Sequence, residues 1–96
     1  SSKGLFVMEI SVKKLNEFEF LVVINDDDSF TEHVITVDDS SYQLLADKMC
    51  SKELLVEKSI EFLLTKEPKE SILEKFEIML IANYFPEYPD EIKKII

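Results

Sequence analysis

Glycine is almost missing from this 96-residue chain, Gly4 being the sole example. Loops that cradle phosphate need glycine to bring backbone N–H groups against the ligand, so the nucleotide-binding loop and the dinucleotide fingerprint are both excluded. Arginine is absent as well. The 11 basic residues are all lysine, the acidic residues number 20, and the formal charge is −9. Such a chain offers no guanidinium fork for phosphates or guanine edges, and nucleic acid is not an expected partner. An anionic membrane surface repels it too.

Long apolar runs are lacking: nothing approaches the ~20 residues of a membrane span. The N-terminus also lacks a basic stretch leading into an apolar core. A cytoplasmic location is therefore the expectation, with Met8 as a candidate natural start and residues 1–7 flexible or foreign to the domain. Cysteine is down to Cys50, which cannot close an internal disulfide and fits a reducing compartment. It reads as a half-buried thiol at a helix end. His33 is the only histidine. A zinc site needs more ligands than one histidine and one cysteine, and no local nucleophile signature is present. No catalytic residue, metal ligand or cofactor is assigned, and His33 reads as a surface or half-buried strand residue.

What remains is an ordinary globular composition, 46% hydrophobic, in a chain long enough for one domain with one core. Met8–Lys13 alternates apolar and polar residues, the period of a strand with one buried face. Asn16, a residue that tolerates left-handed geometry, marks a turn. Phe18, Phe20, Val22 and Ile24 repeat at period two in a second strand. Its other face is polar at Glu17 and Glu19 but apolar at Leu21 and Val23, so that end is either covered or an exposed patch. Asn25–Ser29 is a turn on composition. Its carboxylates Asp26, Asp27 and Asp28 lack the alternating ligands and central glycine of a calcium loop and read as a solvated hairpin. Phe30–Val37 supplies a third strand, with Ile35 and Val37 on one face and Val34 on the other.

From residue 38 onward the pattern becomes helical. Asp38-Asp39-Ser40 is a start signal, with Ser40 and Gln43 matching a capping box, for a helix over Ser41–Lys48 that buries Leu44, Leu45 and Tyr42. Ser51 caps the next helix, in which Leu55, Val56, Ile60, Leu63 and Leu64 form an apolar stripe opposite Lys52, Glu53, Glu57, Lys58 and Glu61. The i,i+4 glutamates repel by only a few tenths of a kcal/mol per pair, so burial of the stripe dominates. Pro68 ends this helix near Lys66 and suits the first position of another, capped by Glu67, with Ile72, Leu73 and Phe76 on its face. That helix either continues to Phe85 or breaks at Phe76-Glu77, with Glu77 capping a separate one. Pro86 and Pro89 end it, and Asp90–Ile96 adds a frayed turn anchored by Ile92, Ile95 and Ile96.

ELLVEKSIEFLL over Glu53–Leu64, EPKESIL over Glu67–Leu73 and YFPEY over Tyr84–Tyr88 resemble segments of a family of small bacterial proteins of unknown function. Val34–Asp39 looks like that family's entry into its helical part. The resemblance spans the C-terminal two thirds or so of the chain, implies a bacterial single-domain protein, and assigns no activity.

The expected architecture is α+β: a three-stranded antiparallel meander over 8–37, then three or four helices over 38–96 packed on one sheet face. The expected function is a non-enzymatic interaction or scaffold domain that binds another protein or itself. Candidate contacts are Leu21 and Val23 on the sheet, and Tyr84, Phe85 and Tyr88 in the aromatic segment, since aromatic residues are enriched at binding hot spots. The same rings could instead close the core. The competing class is a ligand-binding or enzymatic domain with a pocket between sheet and helices. A deep polar pocket containing His33 would favour it, and a shallow apolar patch would favour the interaction domain.

Overall fold

The computed structural model describes residues 9–26, 29–47 and 49–96. Three strands, β1 (Glu9–Lys14), β2 (Glu19–Asn25) and β3 (Phe30–Thr36), form the expected antiparallel meander. Met8 lies outside the described residues. The period-two pattern works as read: Phe20, Val22 and Ile24 are fully buried, with Ile35 and Val37 beside them. The β1–β2 turn is closed by Asn16, though not through left-handed backbone. Its Oδ1 accepts from the amides of Phe18 at 2.9 Å and Glu19 at 3.0 Å. Positive φ among the described non-glycine residues occurs only at Asp47, at 48°, where α1 ends.

The helix α1 (Asp39–Leu45) starts on Asp38, whose Oδ1 accepts from the Ser41 amide at 2.7 Å. That bond holds the Asp38 carboxyl below its usual pKa. The Ser40–Gln43 capping box therefore gives way to a cap two residues earlier. Leu45 is buried, but Leu44 is 56% exposed, against expectation. Lys48 lies outside the described residues.

In the long helix α2 (Lys52–Lys66) both ends follow the sequence signals: Ser51 Oγ accepts from the Leu54 amide at 3.1 Å, and Glu67 before Pro68 is extended. Its buried side chains are Leu55, Val56, Ser59, Ile60, Phe62 and Leu63. It packs on β1 and β2, covering one sheet face with the apolar stripe.

After α2 the structure departs from the expected helices. Lys69–Ser71 makes one turn of 3₁₀-helix, and Lys75–Glu77 forms a fourth strand, β4, parallel to β3. The sheet is mixed, in the order β1-β2-β3-β4, which corrects both the strand count and the purely antiparallel pairing. A short isolated helix is marginal, whereas the edge of β3 presents unpaired backbone groups. The edge captures this segment: the Val34 amide donates to Glu74 O at 2.7 Å and the Ile78 amide to Thr36 O at 2.9 Å. Two short helices follow, α3 (Leu80–Tyr84) and α4 (Tyr88–Ile95). Pro89 lies in the first turn of α4, so it opens a helix rather than ending one. Ile92 is buried, while Ile95 is 45% exposed.

Candidate functional site

An apolar cleft of about 250 Å³ opens where the end of α2, the 3₁₀ turn, β4 and α3 converge. Leu63 from the last turns of α2, Ile72, Phe76 from β4 and Ile81 from α3 form its buried base. The rim is different. Leu73 is 49% exposed and Tyr84 66% exposed, with Leu80 and Phe85 half-buried between base and rim. Phe85 is held from beneath by Phe62, edge to face at 6.0 Å between ring centroids. The cleft thus combines an apolar base with an exposed rim that is largely apolar.

The local electrostatics are acidic. Among the described residues, Glu67 is the one charged side chain lining the cleft. The lysines close to it in sequence are committed elsewhere: Lys66 pairs with Glu87 at 3.3 Å and Lys75 with Glu19 at 3.8 Å. Lys69, only 4% exposed, contacts Asp26 Oδ2 at 2.6 Å and also Glu70. The bond to Asp26, then that to Glu70, raises the Lys69 pKa.

The predicted contact residues divide into three groups. Tyr84 and Phe85 line the cleft. Tyr88 does not: it is fully buried, with its hydroxyl 2.5 Å from Ser59 Oγ and its ring 5.4 Å from that of Phe62. Burial pushes its phenol pKa well above the ordinary tyrosine value. This ring closes the core and presents no binding surface. Leu21 and Val23 sit on the sheet face opposite Phe76, half-buried among Lys13, Val34, Ser11 and Glu32, their register partners. Every described strand residue on that face is exposed or half-buried, so the structure does not bring Leu21 and Val23 together with the cleft. From sequence, Glu67 reads as a helix cap and Leu73 as part of an apolar helix face, and neither they nor Leu80 carried a contact role. One signal was available: adjacent Ile72 and Leu73 cannot both face inward from an extended segment.

His33 is neither a surface nor a half-buried residue. It is 2% exposed, with Nδ1 2.7 Å from Leu73 O and Nε2 2.8 Å from Thr31 Oγ1. A carbonyl can only accept, so Nδ1 carries a proton and donates it to Leu73. The ring ties β3 to the segment leading into β4. Cys50 is half-buried, and burial raises its thiol pKa, which disfavours the nucleophilic thiolate. In the turn after β2, the Asp26 carboxylate accepts from the Ser29 amide at 2.8 Å and takes the Lys69 ion pair. Asp27 and Asp28 lie outside the described residues. Among the described residues, no group of three histidine, cysteine or acidic side chains is placed to hold a metal ion, and no helix is long and apolar enough to cross a membrane.

A second, larger groove lies between the ends of α1 and α4, lined by Leu44, Met49, Lys93 and Ile96 among others. Comparison with protein-family models, with curated proteins and with solved structures finds no match for this chain.

Proposed function

We propose that this chain is a non-enzymatic protein-interaction domain whose docking site is the cleft between α2, β4 and α3. The observation that carries the reading is the exposure of Leu73 and Tyr84 at the mouth of a cleft with an apolar base. Holding such groups in water is unfavourable by roughly 25 cal/mol per Å² of apolar surface, and a partner that covers them recovers that free energy. A cytoplasmic location accords with the single cysteine and belongs to the same proposal, as does the absence of nucleic-acid binding.

The competing reading, a pocket for a small ligand, is less favoured on size and chemistry. Small-molecule sites usually enclose ~300–1,000 Å³ and place a few convergent polar groups. This cleft is about 250 Å³ and offers Glu67, Ser71 and the Tyr84 hydroxyl at its margins. His33, the side chain best suited to acid–base chemistry, spends both ring nitrogens on structural bonds.

The test is selection of random twelve-residue peptides displayed on phage against immobilised protein, with Leu73→Asp as the blocked control. Leu73 is half exposed, so this change leaves the fold intact. Enriched peptides should bind the wild type and lose binding to Leu73→Asp. Failure to enrich any peptide with that dependence would refute the cleft as a docking site.

A further inference from the structure

We infer that the cleft selects a basic segment of another protein: one apolar side chain enters it, and a flanking lysine or arginine pairs with Glu67. This rests on the cleft being the docking site proposed above. Glu67 is half-buried at the cleft margin and makes no ion pair among the described residues. Its neighbour Lys66 reaches Glu87 instead, at 3.3 Å. Lys69 is held by Asp26 and Glu70. Glu74, next to the lining residue Leu73 in the chain, is exposed and likewise makes no ion pair among the described residues. Glu67, the charged side chain that lines the cleft among the described residues, therefore lacks an ion-pair partner there, while Lys66 and Lys69 have theirs.

That imbalance distinguishes the occupants. A neutral apolar segment seated on Leu73 and Tyr84 would take Glu67 further out of water with nothing to offset its desolvation. A second copy of this chain carries a formal charge of −9 and would approach the cleft against repulsion from Glu67. A segment with lysine or arginine beside its apolar anchor supplies the missing counter-charge at the moment water is excluded. It is also steered toward the site during encounter. The apolar contact supplies affinity, and Glu67 supplies selection.

The peptide selection described above decides this when its output is read for composition and re-measured on Glu67→Gln. The expected result is that cleft-dependent peptides carry lysine or arginine within two positions of a leucine, isoleucine, methionine or aromatic residue. Glu67→Gln should weaken them by about three- to tenfold, the range of a partly desolvated ion pair. Matched peptides with lysine replaced by glutamine should bind wild type and Glu67→Gln equally. Cleft-dependent peptides with no basic bias, or with affinity unchanged in Glu67→Gln, overturn the inference while leaving the docking cleft in place. Absence of any cleft-dependent peptide overturns both. Sedimentation adds a third arm: a concentration-dependent dimer abolished by Leu73→Asp assigns the cleft to a second copy and also overturns the inference.

Discussion

Removing one hydroxyl from the core at Ser59 should cost more than removing its partner at Tyr88, although the two face each other across a single hydrogen bond. Ser59 Oγ donates to Leu55 O at 2.7 Å, which uses its only proton. The contact of 2.5 Å with Tyr88 is then a bond in which the phenol donates and Ser59 accepts. Both residues are fully buried. In Tyr88→Phe, Ser59 keeps its donor bond and loses one accepted bond, a net cost of about 0.5–1.5 kcal/mol. In Ser59→Ala, the phenol proton is stranded in the core without an acceptor, at about 1–3 kcal/mol. The double variant removes the stranded group along with its partner, so it should be no less stable than Ser59→Ala alone. Urea denaturation of the four proteins measures this cycle. For a domain of this length, 1 kcal/mol corresponds to a melting shift of roughly 4–8 °C, so thermal scans resolve it too. Additive losses, or Tyr88→Phe costing as much as Ser59→Ala, would refute the assigned donor direction.

The same phenol predicts an alkaline limit. Its folded pKa lies above the ~10 of an unfolded tyrosine, so above that pH the unfolded state releases a proton that the folded state keeps, and stability falls. Between pH 10 and 11 this group should remove about 1 kcal/mol, the slope approaching ~1.4 kcal/mol per pH unit only above pH 11. Tyr88→Phe should show a correspondingly shallower slope, and equal slopes would refute a buried phenol. His33→Leu strands Leu73 O and Thr31 Oγ1 and should destabilise by about 1–3 kcal/mol. Amide exchange should accelerate first at Val34 and Ile78, whose bonds hold the β4 segment on β3. Lys69→Met should lower stability and loosen the Asp26–Ser29 turn, read as faster exchange at the Asp26 and Ser29 amides. A stability equal to wild type would show that the Asp26 and Glu70 contacts contribute nothing net. Leu21→Lys, on the open sheet face beside Lys13 and Val34, should change stability by less than about 1 kcal/mol and leave peptide binding at the cleft unaltered. A lost cleft affinity would mean that the two surfaces are coupled.

Local rules acting within a few residues account for much of the architecture. Alternation in Phe20, Val22 and Ile24 specifies which face of β2 is buried because a one-residue slip inverts every side chain. Ser51 and Pro68 bound α2 because a cap and a missing N–H act on the adjacent turn alone. The expectation that nucleic acid and phosphate-loop ligands are not partners rests on acidity, the lack of arginine and the single glycine, without reference to any fold. The segment from Lys69 to Tyr84 was decided elsewhere. Ile72, Leu73 and Phe76 recur at a spacing that satisfies a helix, but the Val34 amide and the Thr36 carbonyl on β3 needed partners, and Glu74 and Ile78 supply them. That capture across some forty residues of sequence turned a helix into β4, put Phe76 in the core and left Leu73 on the surface. It also made the cleft, since Leu63, Phe76 and Tyr84 meet only once β4 docks. The clustering of Tyr84, Phe85 and Tyr88 at a helix end was legible, but whether each ring would close the core or face solvent was not. That Tyr88 would be buried against Ser59 depended on where α4 packs on α2, and no spacing within its own helix encodes a contact between elements.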